Sequence, residues 1–232
     1  FKNLCSEIID IDRRKVSQYP QVTLLGRDCY LWDEYVIKSS PGIWNFKTTH
    51  EINILKYINS KIETHHFPVL VSEHRYEKRD FMLLSYIPFK NLYDSWYKNK
   101  LSYFKLTPRV LSNLKKEADL IMNSLSKLKI IHRDITPSNI IIDPSTYNMT
   151  LIDFGYAILE DQELNTPNQQ AKTLLQNAVK NNLGGRYRQP SPCFTFESDK
   201  YSMNKILKEL KIKSVWKINQ NPLITIKDIF KI

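Results

Sequence analysis

Glycine is scarce in this chain, with five among 232 residues, and cysteine is scarcer still, with three. Cys5, Cys29 and Cys193 are odd in number and widely spaced, so they match neither a disulfide framework nor a zinc-binding pattern. Free thiols in a reducing compartment are expected instead, and we predict a cytoplasmic protein. The sequence also lacks a signal-peptide pattern and any run of about 18 apolar residues, so it indicates no transmembrane segment.

Acidic residues are outnumbered, because 34 Lys and Arg face 24 Asp and Glu, and the net charge is +10. A surface of this sign attracts nucleotides, nucleic acids, acidic proteins or anionic lipids, so an anionic partner is expected. Charge alone does not choose among these partners, and nothing else in the sequence indicates nucleic acid. A group of lysines near the C-terminus is predicted to form a solvated helix face: residues 205, 208, 211, 213 and 217.

The first third of the chain is predicted to consist mainly of strands. The β-like runs are residues 22–25, 29–32, 35–38 and, as a buried strand, 81–87. Asp33-Glu34 suits a tight turn between the second and third runs. Residues 49–58 are predicted to form a helix, because apolar side chains recur there at three-residue spacing.

The remainder is predicted to be mainly helical. Thr107-Pro108 is a typical helix start, and the apolar face that follows continues to Leu128. Two β-like runs, 139–143 and 150–154, are joined by turn-forming residues and predict a hairpin. Further helices are expected at 169–181 and 201–210. This order predicts an α+β fold in two lobes, a β-rich lobe over residues 1–87 and a mainly helical, shortened lobe over 88–232.

Two short segments carry the chemistry: Ile131-His132-Arg133-Asp134-Ile135-Thr136-Pro137-Ser138-Asn139 and Leu151-Ile152-Asp153-Phe154-Gly155. Phosphoryl transfer requires an attacking hydroxyl held in line and metal ions that neutralise the phosphate charge. Asp134 suits the orienting carboxylate and Asn139, five residues later, suits a neutral oxygen ligand. Asp153, at the end of the predicted hairpin, suits a hard anionic ligand for Mg²⁺.

These motifs resemble those of protein kinases, and the chain resembles a compact or divergent member of the eukaryotic-like Ser/Thr kinase superfamily. His132-Arg133-Asp134 with Asn139 is similar to the catalytic loop, and Asp153-Phe154-Gly155 is similar to the metal-binding motif. The resemblance implies ATP and Mg²⁺ (or Mn²⁺) as cofactors. It implies that Asp134, Lys38 and Asn139 are catalytic, and that Asn139 and Asp153 bind the metal.

The resemblance extends to the nucleotide site. Tyr35-Val36-Ile37-Lys38 is similar to the strand that carries the phosphate-binding lysine, and Glu51 is similar to its partner carboxylate. Residues 81–92 resemble the strand and hinge between the lobes. The nucleotide-binding residues implied are Gly26, Val36, Lys38, Glu51, Leu84, Ser85, Tyr86, Ile87, Ile141 and Ile152. Farther on, residues 184–190 loosely resemble the end of an activation segment, and Asp199 resembles a buried aspartate that braces the catalytic loop.

Two departures from the family pattern bear on function. Only Gly26 remains where a glycine-rich loop would cradle the phosphates. Thr136 stands where Ser/Thr protein kinases usually carry a lysine that helps to neutralise the transferred phosphate. Threonine cannot do so as a cation, which leaves room for a contribution from another basic residue.

The favoured hypothesis is an ATP-dependent kinase of Ser or Thr hydroxyls on protein, in which Arg133 pairs with a phosphorylated residue such as Thr166 or Thr173. Thr136 and the short C-terminal lobe leave open a small-molecule or cell-surface saccharide as the acceptor. The missing glycines leave open a pseudokinase that binds nucleotide without turnover.

Overall fold

The computed structural model of the protein describes Cys5, Ile8 and residues 22–26, 28–98, 106–159, 184–189 and 195–219. The fold over these residues is mixed α+β, as the sequence predicts, with a five-stranded sheet and a few helices. The strands of the sheet are β1 (Val22–Gly26), β2 (Cys29–Trp32), β3 (Tyr35–Lys38), β4 (Leu70–Tyr76) and β5 (Arg79–Ser85).

The five-stranded sheet is antiparallel, with strand order β1-β2-β3-β5-β4. Strand β5 is buried along nearly its whole length, because its side chains alternate between two apolar clusters. Met82 and Leu84 enter the main core, whereas Phe81 and Leu83 enter a smaller cluster with Ile37. The sheet therefore has apolar cover on both faces at β5, next to the strand that carries Lys38.

Three long helices accompany the sheet: α1 (Asn45–Lys61), α2 (Pro108–Lys127) and α3 (Phe196–Asn219). Helix α2 begins as the sequence predicts, since Val110 N donates to the Thr107 hydroxyl 3.2 Å away and proline follows the cap. Its apolar face packs in the main core with residues from α1 and α3. In the described part of the chain no helix is long and apolar enough to cross a membrane.

The predicted hairpin between the two motifs is present. It consists of β7 (Ile140–Ile142) and β8 (Met149–Leu151), while a separate pair is formed by β6 (Ile130–Ile131) and β9 (Ile158–Leu159). The loop after α1 holds the hairpin in place: Leu151 N donates to His66 O at 2.9 Å, and the Thr150 hydroxyl donates to His65 O at 2.7 Å. The segment from Asp134 to Asp153 is thus fixed to α1.

Some predicted boundaries are wrong. Helix α1 begins at Asn45 rather than residue 49, because the buried side chains of Phe46 and Thr48 extend its apolar face backwards. Strand β5 begins at Arg79 rather than residue 81 and ends at Ser85, and strand β4 was not predicted at all. Helix α3 extends beyond the predicted 201–210 at both ends. The predicted helix at 169–181 lies outside the described residues.

Candidate active site

Lys38 joins two acidic side chains from separate parts of the chain. Its ammonium lies 2.6 Å from Glu51 Oε2 on α1 and 2.6 Å from Asp153 Oδ1 after β8. Glu51 is buried, and its other oxygen accepts a 3.0 Å hydrogen bond from Phe154 N. The ion pair expected from the sequence between Lys38 and Glu51 is therefore present, and the same carboxylate also fixes the backbone beside Asp153.

Burial and charge set the protonation of this triad. Burial opposes the charged form of Lys38, but Asp153 and Glu51 outweigh it and keep the lysine pKa well above its usual value. Burial raises the pKa of Glu51, although Lys38 opposes the change. Burial also opposes ionisation of Asp153, yet the charges of Lys38 and Lys47 hold its pKa well below the usual range. Asp153 is thus the carboxylate best suited to remain anionic.

Asp199 on α3 holds the loop at residues 132–139 in place. Its two oxygens accept hydrogen bonds from His132 N at 2.5 Å and Arg133 N at 2.9 Å. Burial raises the pKa of Asp199 to about 7, although those two backbone donors oppose the shift. Arg133 holds a left-handed backbone with φ of 72°, which is strained for a residue with a side chain. The bracing contacts stabilise this conformation.

His132 connects the loop to the hairpin. Its Nε2 donates to Ile152 O at 3.1 Å and its Nδ1 accepts from Asp134 N at 3.3 Å, so the ring is neutral. Burial lowers its pKa to about 4, in agreement with that assignment. The ring also contacts the edge of Phe154, with centroids 4.8 Å apart. His132 therefore acts as a spacer between Asp134 and Asp153 rather than as an acid or base.

Asp134 and Asn139 lie in direct contact. Asn139 Nδ2 donates to Asp134 O at 2.8 Å and to Asp134 Oδ2 at 3.1 Å, while Gly184 N donates to Asp134 Oδ1 at 2.8 Å. Burial raises the pKa of Asp134 to about 6, and these donors only partly offset it. The contact with Gly184 places the segment before α3 over the carboxylate that was predicted to orient the acceptor hydroxyl.

The donor atoms suit a hard divalent cation. Asn139 directs its amide nitrogen to Asp134, so its amide oxygen is not used by the hydrogen bonds found among the described residues. Lys38 contacts only Oδ1 of Asp153, which has a left-handed backbone with φ of 66°. Both side chains line the same cavity. A carboxylate and an amide oxygen, completed by phosphate oxygens and water, form a set that fits Mg²⁺.

A cavity of about 910 Å³ opens between the sheet and the hairpin. It is lined by most of the residues that the sequence assigns to nucleotide and metal: Val36, Lys38, Glu51, Leu84, Ser85, Tyr86, Ile87, Asn139, Ile141, Ile152 and Asp153. Gly26 and Asp134 are not among the lining residues. The volume and the mixture of apolar walls with a few charged groups are typical of sites for small ligands.

The three predicted hinge residues differ in whether their backbone N–H is occupied. Ser85 N donates to Val69 O at 3.1 Å and Tyr86 N donates to Glu34 O at 3.0 Å. Ile87 N makes no backbone hydrogen bond among the described residues, and Ile87 lines the cavity. Of these three residues, Ile87 is therefore the one whose backbone N–H is left to donate to a ligand.

The turn between β1 and β2 is short. Gly26 pairs with Cys29, which leaves only positions 27 and 28 between the strands. Asp28 has a left-handed backbone with φ of 62°, and it lines the cavity together with Leu25 and Cys29. A two-residue turn has too few backbone amides to enclose a triphosphate. The short turn agrees with the scarcity of glycine in this part of the sequence, and it favours a phosphate site that is looser or built differently from a glycine-rich loop.

The sequence interpretation missed Lys47. It lies on α1 one turn before Glu51, and it lines the cavity together with Tyr156. Residues at this spacing share a helix face, so the signal was present once the helix is known to begin at Asn45. Thr166 and Thr173, the predicted phosphorylation candidates, lie outside the described residues.

No family model matches the chain. Two curated proteins of Dictyostelium discoideum are similar to part of it. "Probable serine/threonine-protein kinase mkcE" is 31% identical over 112 residues, which are 47% of this chain and 14% of that protein. "Dual specificity protein kinase pyk3" is 28% identical over 127 residues, which are 50% of this chain and 9% of that protein. These partial similarities indicate a kinase-like relationship and leave the substrate open.

Proposed function

We propose that this protein is an ATP- and Mg²⁺-dependent phosphotransferase that moves the terminal phosphate to a hydroxyl, with Ser or Thr on protein as the favoured acceptor. The observation that carries the proposal is Lys38, which lies 2.6 Å from both Glu51 and Asp153 in the wall of a nucleotide-sized cavity. The kinase-like similarity supports the same class of reaction. The proposal also divides the chain into lobes at residues 1–87 and 88–232, with the cavity between them.

Each residue has a role in this proposal. Val36, Leu84, Ile141 and Ile152 enclose the adenine, and Ile87 N donates to its edge. Lys38, held by Glu51, binds the inner phosphates, while Asn139 and Asp153 hold the metal. Mg²⁺ would supply charge neutralisation at the phosphate oxygens. No role is assigned to Gly26, because it ends strand β1 at a turn too short to enclose phosphate.

Asp134 orients the acceptor hydroxyl and takes its proton. The acceptor oxygen forms a bond to the terminal phosphorus as the bond from that phosphorus to the bridging oxygen breaks, and ADP leaves. Because Gly184 N now donates to Asp134 Oδ1, an acceptor must either use the second oxygen or displace this segment. The environment of Asp134 is therefore where acceptor selection would occur.

The acceptor class is tested separately from the nucleotide. Thr136 has no charge with which to neutralise a transferred phosphate, and it faces Ser138, whose hydroxyl lies 3.4 Å away. This departure favours a small-molecule or saccharide acceptor as the second candidate. Purified protein, labelled ATP and parallel panels of proteins and glycans separate the two. Labelling of glycans alone would contradict the protein acceptor.

The experiment that tests the core proposal compares wild type with Asp153→Asn, which keeps the shape and removes the charge. We expect ATP turnover to fall at least 100-fold, since the metal loses its anionic ligand. Asp119→Asn, on α2 outside the cavity, is the matched control and should leave turnover unchanged. Full activity of Asp153→Asn would refute the assigned site, whereas ATP binding without turnover by wild type would support a pseudokinase.

A further inference from the structure

Lys47 occupies the end of the cavity where the proposed metal ligands lie. A Cβ atom built on Gly155 would lie 2.9 Å from Lys47 Cε and 3.4 Å from Asp153 Oδ1. The lysine stem therefore crosses directly over the glycine that follows Phe154. Its ammonium ends 4.0 Å from the centroid of the Tyr156 ring, in a cation–π contact.

Among the described residues, no carboxylate lies within ion-pair distance of the Lys47 ammonium. Within residues 28–98, 106–159 and the other described segments, no ion pair of Lys47 is found, in contrast to Lys38 and its two acidic partners. The aromatic contact with Tyr156 is the weaker kind of partner for an ammonium at a solvent-accessible site. Lys47 is thus a cation at the cavity wall whose charge remains able to attract an anionic ligand.

Among the described residues, three lysines and no arginine line the cavity: Lys38, Lys47 and Lys90. Thr136 replaces the lysine expected in the catalytic loop, and the β1–β2 turn offers two residues only. Lys38 is already shared by two carboxylates. Lys90, which also lines the cavity, lies on the segment after Ile87.

We propose that Lys47 binds the terminal phosphate of the nucleotide, so that a helix residue supplies the positive charge that Thr136 does not. This inference rests on the proposed phosphotransfer function and adds a subsite to it. Lys47 and Glu51 lie on one face of α1. The helix would therefore carry the lysine that binds the terminal phosphate and the carboxylate that holds Lys38 at the inner phosphates.

The test compares the affinities for ADP and for a non-hydrolysable ATP analogue, both with Mg²⁺, in wild type and Lys47→Met. We expect the affinity for the ATP analogue to fall about tenfold or more, as for loss of a charge-assisted hydrogen bond, and that for ADP to change less than about twofold. Lys47→Arg should retain the preference for the ATP analogue. Lys56→Met is the matched control, because Lys56 lies on the same helix, exposed and paired with Glu73.

A second variant keeps the charge of Lys47 but displaces its ammonium. Gly155→Ala would displace the flexible end of Lys47, and we expect a smaller loss of ATP-analogue affinity in the same direction, with an unchanged unfolding midpoint. If wild type binds neither nucleotide, the proposed function fails and this inference fails with it. If wild type binds both and Lys47→Met weakens both equally or neither, the terminal-phosphate subsite alone is overturned.

Discussion

Replacing Lys38 with methionine should destabilise the protein before any nucleotide is added. The two side chains have similar volume, so the main change is loss of the charge between Glu51 and Asp153. The exposed fractions of the three side chains are 14% for Lys38, 2% for Glu51 and 29% for Asp153. Without the ammonium, two carboxylates face each other across a largely water-excluded site.

The expected loss in the free energy of unfolding can be bounded. Removing one partner from a buried ion pair costs about 3–5 kcal/mol. Asp153 is partly solvated and Glu51 can take up a proton, so we expect the lower end, about 3 kcal/mol. For a chain of this size that corresponds to a fall in Tm of roughly 6–12 °C. The loss is a large fraction of the roughly 5–15 kcal/mol by which domains are stable.

The assay is urea denaturation of wild type, Lys38→Met and the double variant Lys38→Met/Glu51→Gln. In the single variant the folded-state pKa of Glu51 rises further above its unfolded value, so the folded state binds the extra proton. Stability relative to wild type should therefore be lost as pH rises above the ordinary pKa of a glutamate and through the raised pKa of Glu51. The double variant should regain stability but no activity. Equal midpoints for wild type and Lys38→Met at pH 8 would refute this account of the triad.

Two further predictions concern the loop that carries Asp134. Asp134→Asn should lower turnover by about 10²–10⁴-fold, as for loss of a general base, with nucleotide affinity retained, and single-turnover kinetics with an equilibrium binding assay will decide. Asp199 has a folded-state pKa raised to about 7. Its contribution to stability should be lost as pH rises from about 4 to 7, and denaturation of Asp199→Asn should show a weaker dependence on pH across that window. An identical dependence of stability on pH for wild type and Asp199→Asn across that window would contradict the raised pKa.

The sequence predicts the first three strands well because the signals there are local. Their bounds match apart from one residue, and Asp33 takes the left-handed conformation, with φ of 53°, in the predicted turn. The hairpin after Asn139 is likewise coded by apolar runs around turn formers. Asp134, Asn139 and Asp153 lie in or beside this hairpin, so their proximity follows from short-range structure.

Strand β4 was missed for a physical reason. It is largely exposed and reads Leu-Val-Ser-Glu-His-Arg-Tyr, which lacks the alternation of a half-buried strand. Its turn uses Glu77 and Lys78, both with positive φ, where glycine or asparagine would have given a recognisable signal. Pairing with the buried strand β5 compensates for both defects, and that pairing cannot be inferred from β4 alone.

The start of β5 was missed because its charged residues are satisfied by partners distant in sequence. Arg79 donates to Ser39 O and to the Ser39 hydroxyl, each at 2.6 Å, while Asp80 N donates to Asn45 Oδ1 at 2.7 Å. Charged residues at the end of an apolar run normally indicate that the strand has ended. Here they extend the strand, because hydrogen bonds replace the water that burial removes.

The same contacts explain why the phosphate end of the site was harder to predict than the metal end. Asn45 begins α1 and is bound to Asp80, so the position of the helix is set by β5. Glu51 then sets Lys38 and, through Phe154 N, the backbone beside Asp153. Lys38 reaches the cavity from strand β3 and Lys47 reaches it from helix α1, and no single sequence motif contains both residues. The positions of the charges that would hold phosphate therefore depend on how α1 packs on the sheet. Any displacement of α1 would move Lys47 together with the Glu51 carboxylate that holds Lys38.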